Sequence, residues 1–296
     1  MASIIPLNVS SARGSTGLTL LIKEIDKLVS LPDIYYRIES IITDPASTTA
    51  TVAKLLECDV DLSARLLRMA NSAFYSFPPR IETIERAVAT VGLRQIREMI
   101  LVTTVINAFN GIAKARVDMS SFWEHSITVG LMARALARHG RVPGSDGFYI
   151  PGLLHDLGHL VMHLKLPELM HDLLGEDATQ AVSLYQREIE LLGYSHADVG
   201  ASLLANWSVP ASIYEPICDH HKPLEGGEFL QVSCAIHLAD FWVASQNETT
   251  VKEQKADEIY MEEATGLLEI SIDDLNLVGK QVLVEAGEIK CQFMLH

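Results

Sequence analysis

An imidazole and a carboxylate stand next to each other at His155 and Asp156, inside the apolar stretch Pro151–Leu160. Burying such a pair is costly unless something compensates it, and a bound metal ion would do so. Further nitrogen and oxygen ligands stand at helical positions elsewhere in the chain: His125, His196, His220, His221 and Asp240. Five histidines and two aspartates are enough to hold two metal ions rather than one.

The chemistry of such a centre would be phosphoester hydrolysis. Two hard or borderline divalent ions need nitrogen and oxygen ligands and a carboxylate that bridges them, and Asp156 is suited to bridging because it follows His155. A pair of ions activates water for in-line attack without a covalent intermediate. We therefore take Asp156 as a candidate catalytic residue. Histidine and aspartate suit iron, manganese, zinc and nickel alike, so the pattern does not choose the metal.

A second candidate catalytic residue follows one turn later. His155, His159 and His163 have the spacing of one face of a helix. His159 is a candidate donor to a bound phosphate, and a half-exposed polar residue without a chemical role is the alternative. Gly158 would allow a close backbone approach there, or tight packing of helices.

Charge and composition exclude several classes of function. The formal charge is -15, from 38 acidic and 23 basic residues, so the surface repels phosphate backbones and we expect no nucleic-acid partner. The longest charge-free apolar run, Met99–Ala113, is too short and too polar to span a bilayer, so we expect no membrane partner. The four cysteines have no paired spacing, and no basic start with an apolar stretch indicates a signal peptide. We expect a cytoplasmic protein.

The apolar residues recur at intervals of three and four from Leu18 onward, and strand alternation is nearly absent, which predicts an all-α fold. We divide the chain into a flexible leader (1–17), a helical domain (18–244) and acidic C-terminal helices (245–296) that pack on or extend that domain. Within the helical domain, the N-terminal part covers about 18–115 and the metal-site part about 116–244. The helices predicted around the candidate site are Trp123–His139, Asp146–Lys165, Gln180–Leu192, His196–Trp207, Ala211–His221 and Leu230–Ser245. Elsewhere we predict a turn at Ser76–Pro79, two helices (Ile81–Val91 and Leu93–Phe109) broken at Gly92, and two C-terminal helices, roughly Thr250–Leu268 and Ser271–Ala286.

The order of these ligand residues resembles the HD superfamily of metal-dependent phosphohydrolases, and the N-terminal half resembles an HDOD domain. The resemblance runs from about Leu18 to Ala244 and is sharpest at Ala70-Asn-Ser-Ala-Phe-Tyr75. Other matching stretches are Ala87-Val-Ala-Thr-Val-Gly92, Phe122-Trp-Glu-His-Ser126, Gly152-Leu-Leu-His-Asp-Leu-Gly158 and His196-Ala-Asp-Val-Gly-Ala201. It implies a multi-helix, HD-domain-like bundle with N-terminal HDOD helices. It also implies a role in bacterial signalling, often as an output or scaffold domain.

The resemblance extends to the HD-GYP phosphodiesterases, which open cyclic dinucleotides. By it, the ligands would be His125, His155, Asp156, His196, His220, His221 and Asp240. Two departures argue against cyclic di-GMP as the substrate: His159 stands where those enzymes place a lysine, and Lys222-Pro-Leu-Glu-Gly-Gly227 replaces the Gly-Tyr-Pro signature.

Two functions stay open at this point. One is a binuclear metal phosphohydrolase acting on a nucleotide or cyclic nucleotide. The other is a regulatory interaction module that binds a signalling protein and whose metal site is structural or vestigial. For Asn71, in the HDOD segment, the alternatives are a backbone tie and a partner-binding surface.

Overall fold

The computed structural model describes most of the chain as helix. The described residues are 7, 12–29, 31, 33–44, 47–71, 80–113, 117–174, 183–246 and 260–293. Every regular element in these ranges is an α-helix or a short 3-10 helix, which confirms the all-α prediction. Across the same ranges, no helix combines the length and the apolar character that crossing a bilayer requires.

The chain folds into two compact units. One contains residues up to 29 together with 113–283, and the other contains 30–112 together with 284–296. Helix α1 (Gly14–Asp26) begins inside the predicted leader 1–17 and belongs to the first of these units. The predicted domain limits stay predictions, because compact packing units need not coincide with domains.

The smaller unit is built on five helices. They are α2 (Asp33–Thr43), α3 (Thr49–Glu57), α4 (Val60–Ala70), α5 (Ile84–Val91) and α6 (Leu93–Ala113). The break predicted between α5 and α6 is confirmed at Gly92, where φ is 91°. The side chain of Asn71 donates to the carbonyl oxygens of Leu67 and Ile81, each at 2.7 Å, and accepts from the Ile81 N–H at 2.8 Å. Asn71 therefore fixes the backbone around Leu67 and Ile81, in agreement with the first of the two interpretations given for it. Residues 72–79, which include the rest of the Ala70–Tyr75 motif, lie outside the described ranges.

The larger unit contains α1, the helices that position the candidate ligands, and the helices beside them. These later helices are α7 (Met119–His139), α8 (Tyr149–Leu154), α9 (Leu157–Lys165), α10 (Pro167–Leu174), α11 (Leu184–Leu192), α12 (His196–Asn206), α13 (Ala211–Asp219), α14 (Leu230–Ser245), α15 (Met261–Leu267) and the part of α16 (Ile272–Phe293) up to Leu283. Helix α7 packs against α8 and α14, while α12 packs against α9 and α13. Helix α13 also packs against α8 and α14, so these helices form one continuous bundle, and the segment between α8 and α9 lies within it.

The prediction of a single helix over Asp146–Lys165 is wrong. A 3-10 turn (Ser145–Phe148) comes first, and the chain then breaks between α8 and α9 at His155 and Asp156. The His155 ring bonds through Nδ1 to the carbonyl oxygen of Gly152 at 2.8 Å, the oxygen that would ordinarily accept from the Asp156 N–H. Asp156 adopts φ -93° and ψ 8°, outside helical geometry. His155 and His159 therefore lie on opposite sides of a break rather than on one regular helix face.

Candidate metal centre

All seven predicted ligand residues meet in the larger unit. His125 comes from α7, His155 and Asp156 from the break, His196 from the first turn of α12, His220 and His221 from the end of α13, and Asp240 from α14. Their ligand atoms form overlapping groups of three, within which all atoms lie inside 4.8 Å of one another. These groups are His125–His155–Asp240, His155–Asp156–His220, His196–His220–His221 and Asp156–His159–His196.

The two oxygens of Asp156 face different histidines. Oδ2 lies 3.3 Å from Nε2 of His155 and 3.5 Å from Nε2 of His125. Oδ1 lies 3.5 Å from Nε2 of His196 and 3.6 Å from Nδ1 of His159. Two atoms that bind one ion at about 2.0–2.2 Å stand about 3–3.5 Å apart. The separations around Asp156 therefore have the size expected of ligands sharing an ion on each side of the carboxylate.

Asp240 completes the Oδ2 side. Its Oδ1 lies 3.1 Å from Nε2 of His125 and 3.6 Å from Nε2 of His155. On the opposite side, Nε2 of His221 lies 3.0 Å from Nε2 of His196. Two nitrogens at that distance share either a proton or a cation.

Hydrogen bonds at the far ring nitrogen orient three of the histidines. Nδ1 of His155 bonds to the Gly152 carbonyl oxygen at 2.8 Å, and Nδ1 of His220 bonds to the Ile217 carbonyl oxygen at 2.7 Å. Nδ1 of His196 bonds to a carboxylate oxygen of Glu188, also at 2.7 Å. These acceptors place a proton on Nδ1 and leave the Nε2 lone pair facing the cluster, which is the tautomer that a metal ligand needs.

Two of these Nε2 atoms, those of His155 and His220, are buried without a hydrogen bond to any described residue, as expected of atoms that bind a metal ion. His155 and His220 are 0% exposed, and their Nε2 atoms make no hydrogen bond within the described ranges. A buried polar atom without a partner is costly, so it calls for an explanation such as an ion. The orphaned nitrogens point into the same cluster as the carboxylates of Asp156 and Asp240. The donor set therefore fits a divalent cation.

Burial keeps two rings of the cluster neutral, and neighbouring histidines keep Asp156 ionised. Burial lowers the pKa of His220 to about 3, and burial likewise lowers the pKa of His221, so both rings are neutral at pH 7. Burial by itself raises the pKa of Asp156, but the neighbouring His155 and His159 lower it by more. The pKa of Asp156 therefore lies well below its ordinary value. The pKa of His155 is raised, since Asp156 and Asp240 outweigh the effect of burial. The pocket therefore favours a positive charge next to its two aspartates.

One side of the cluster is open to solvent. The side chains of His155 and His196 are 0% and 2% exposed and form the closed wall. Those of His125, Asp156 and Asp240 are 26%, 17% and 23% exposed. A molecule can therefore reach the cluster past these three residues.

The sequence matches the HDOD domain family over residues 28–223, which is more than half of the chain. The chain belongs to the HDOD family. An uncharacterised protein of Treponema pallidum (strain Nichols) is 25% identical over 257 residues, which cover 85% of this chain and 49% of that protein. This HDOD chain therefore spans about half the length of that relative.

Solved structures share the fold. An HDOD domain protein of unknown function from Geobacter sulfurreducens is 25% identical with a TM-score of 0.67, covering 93% of this chain and 96% of that one. A protein of Shewanella amazonensis SB2B, proposed to be a phosphohydrolase, is 22% identical with a TM-score of 0.71, covering 92% and 97%. The second likeness shows the fold alone.

Two residues next to the HDOD ligand cluster were not predicted. Glu188 of α11 is 0% exposed and contacts both His159 and His196. Its spacing gave a signal, because Glu188 stands four residues from Leu184 and from Leu192, in the register of an apolar stripe. His237 of α14 is also buried, and its Nδ1 bonds to the carbonyl oxygen of His220 at 2.9 Å. It thereby holds the turn that carries the histidine doublet.

Proposed function

We propose that this HDOD protein holds two divalent transition-metal ions and hydrolyses a phosphoester of a nucleotide or cyclic nucleotide. The observation that carries the proposal is Asp156, whose two oxygens face two separate groups of ring nitrogens. The first ion would be held by His125, His155, Asp156 and Asp240, and the second by Asp156, His196, His220 and His221. Iron, manganese, zinc and nickel all suit this set of nitrogen and oxygen donors.

When bound, the ions would supply Lewis-acid stabilisation of a phosphoryl group and lower the pKa of a water molecule that attacks it. The protein's own residues do the positioning. Asp156 joins the two ligand groups, and the hydrogen bonds at Nδ1 of His155 and His220 fix their Nε2 lone pairs toward the cluster. Because the rings have these anchors, the ligand geometry is set before a substrate arrives.

Charge balance supports an anionic substrate despite the acidic surface. Two divalent cations would carry four positive charges against the carboxylates of Asp156, Asp240 and Glu188. The loaded centre would therefore be net positive and would attract a phosphate group locally, although the chain as a whole has a formal charge of -15.

The open side supports catalysis over a purely structural metal. Structural metal sites are closed by protein ligands, whereas catalytic sites keep a position that water and substrate can reach. The partial exposure of His125, Asp156 and Asp240 provides such access. A regulatory module with a structural metal would need no such opening.

The test is a hydrolysis screen of the metal-loaded full chain. The substrates are bis(p-nitrophenyl) phosphate, nucleoside mono-, di- and triphosphates, and cyclic mono- and dinucleotides. Asp240→Asn keeps the shape of the side chain but weakens a ligand, and we expect it to lower kcat/KM at least about 100-fold. Asp172→Asn removes a carboxylate from an exposed position on α10 and serves as the matched control.

Equal turnover by the Asp240→Asn variant and the wild type would show that the reaction occurs elsewhere. No turnover of any substrate by protein carrying two ions would favour the regulatory module that binds a signalling protein.

A further inference from the structure

We infer that His159 is a ligand of the second metal ion through Nδ1, and that Glu188 is the positioning residue that holds His159 and His196 in place for it. This inference rests on the proposed function and deepens it. It replaces the phosphate-donor role that the sequence predicts for His159 and adds a ligand to those that the resemblance implies.

Nδ1 of His159 stands at the distance from Asp156 that two ligands of one ion would have. Nδ1 of His159 lies 3.6 Å from Oδ1 of Asp156, and Nε2 of His196 lies 3.5 Å from the same oxygen. Both separations are too long for a strong hydrogen bond and have the size expected between two ligands of one ion. The three ligand atoms also lie within 4.8 Å of one another. His159 therefore has the same relation to Asp156 as the predicted ligand His196.

The other ring nitrogen of His159 is already used in a hydrogen bond. Nε2 of His159 lies 3.1 Å from Oε1 of Glu188, so this nitrogen carries the proton and donates it to the carboxylate. Nδ1 then presents a lone pair toward Asp156. A cation beside Asp156 would repel a proton from that nitrogen, and a lone pair cannot donate to a phosphate oxygen.

Glu188 serves both rings at once. Its Oε2 accepts from Nδ1 of His196 at 2.7 Å and from the backbone N–H of His196 at 2.8 Å, while its Oε1 accepts from His159. The two rings lie with centroids 3.8 Å apart and their planes tilted by 37°. A carboxylate that orients two ligands fixes their separation as well as their tautomers. The burial of Glu188 is thus compensated by three donors that all serve the centre.

The experiment is a calorimetric titration of Zn²⁺ into the full chain after removal of metal by a chelator. His159→Gln can still donate to Glu188 but lacks the Nδ1 ligand, so we expect the second equivalent to bind about 100-fold more weakly while the first is unchanged. Glu188→Gln keeps the side chain's shape and should weaken the second equivalent about 10- to 100-fold. His171→Gln, at an exposed position on α10, should leave both equivalents unchanged.

A spectroscopic readout needs no variant. In ¹⁵N-histidine spectra of the wild type, the second equivalent of Zn²⁺ should give one histidine that is protonated at Nε2 and bound at Nδ1. His155, His196 and His220 should bind through Nε2, because their Nδ1 atoms donate to other groups. This pattern would support a ligand role for His159 even if the His159→Gln variant failed to fold.

The outcomes separate the two proposals. The inference about His159 is overturned, and the proposed function stands, if the wild type takes up two equivalents and either of two results follows. One is that His159→Gln binds both equivalents with unchanged affinity. The other is that no histidine of the wild type binds through Nδ1. If the wild type binds neither Zn²⁺ nor iron, manganese or nickel, both are overturned.

Discussion

Replacing Asp156 with alanine is expected to weaken binding of both metal equivalents, each by at least about 100-fold. The reason is that its two oxygens face different ligand groups: Oδ2 faces His125 and His155, while Oδ1 faces His159 and His196. Removing any other ligand should affect mainly one equivalent. Loss of both from a single substitution is the signature of a bridging carboxylate.

The measurement is a Zn²⁺ titration of Asp156→Ala beside Asp172→Ala, which removes one negative charge from an exposed position of α10. Circular dichroism should show the same helix content for both variants and the wild type. If Asp156→Ala keeps one equivalent at wild-type affinity, Asp156 does not bridge. If it keeps both, the assignment of the site is wrong.

Replacing Gly158 with alanine is expected to lower the free energy of unfolding by about 3 kcal/mol or more. A Cβ atom at Gly158 would lie 1.9 Å from the carbonyl oxygen of His196 and 2.9 Å from the backbone nitrogen of Gly200. Both are rigid backbone atoms, so α9 and α12 would have to separate. Since His196 begins α12, the same shift should also weaken metal binding on the Oδ1 side of Asp156.

Gly266→Ala is the matched control, because a Cβ atom at this exposed position of α15 meets no atom within 4 Å. Alanine is the better helix former, so this change should stabilise the protein by about 0.5–1 kcal/mol. Urea unfolding of the chelator-treated protein followed by circular dichroism measures both. Similar unfolding free energies for the two variants would contradict the close packing of α9 on α12.

The helices could be predicted where periodicity and local signals agree. The break at Gly92 was predicted because a glycine interrupts two apolar stripes, and α14 (Leu230–Ser245) has the predicted limits. The break at His155 and Asp156 could not be predicted, because it comes with the bond from the His155 ring to the Gly152 carbonyl oxygen. Apolar periodicity continues across that break and conceals it.

Other predicted element limits differ from those of the structure or lie outside the described ranges. Helix α16 extends to Phe293 rather than ending near Ala286. The helix predicted over Thr250–Leu268 falls partly outside the described ranges, within which α15 begins at Met261. The turn predicted at Ser76–Pro79 lies outside them.

A cluster of the candidate ligands could be predicted from their residue types, because a buried carboxylate and its neighbouring imidazoles need compensation, and the structure brings all seven together. Their role as metal ligands stays a prediction. The spacing of Glu188 indicates only that it lies on an apolar helix face, and a glutamate on a helix ordinarily faces water. Its contacts with His159 and His196 come from the tertiary fold and could not be predicted. The sequence also did not predict that Nε2 of His159 donates to Glu188. The role of His159 as a donor to a phosphate stays a prediction.

Elemental analysis of the wild-type chain, purified without chelator and without a metal-affinity step, shows whether the helices of the larger unit hold two metal ions around Asp156. We expect about two equivalents of transition metal per chain, in protein whose circular dichroism shows folded helix. Folded protein that carries no metal, and that takes up none when iron, manganese, zinc or nickel is supplied, would contradict this expectation.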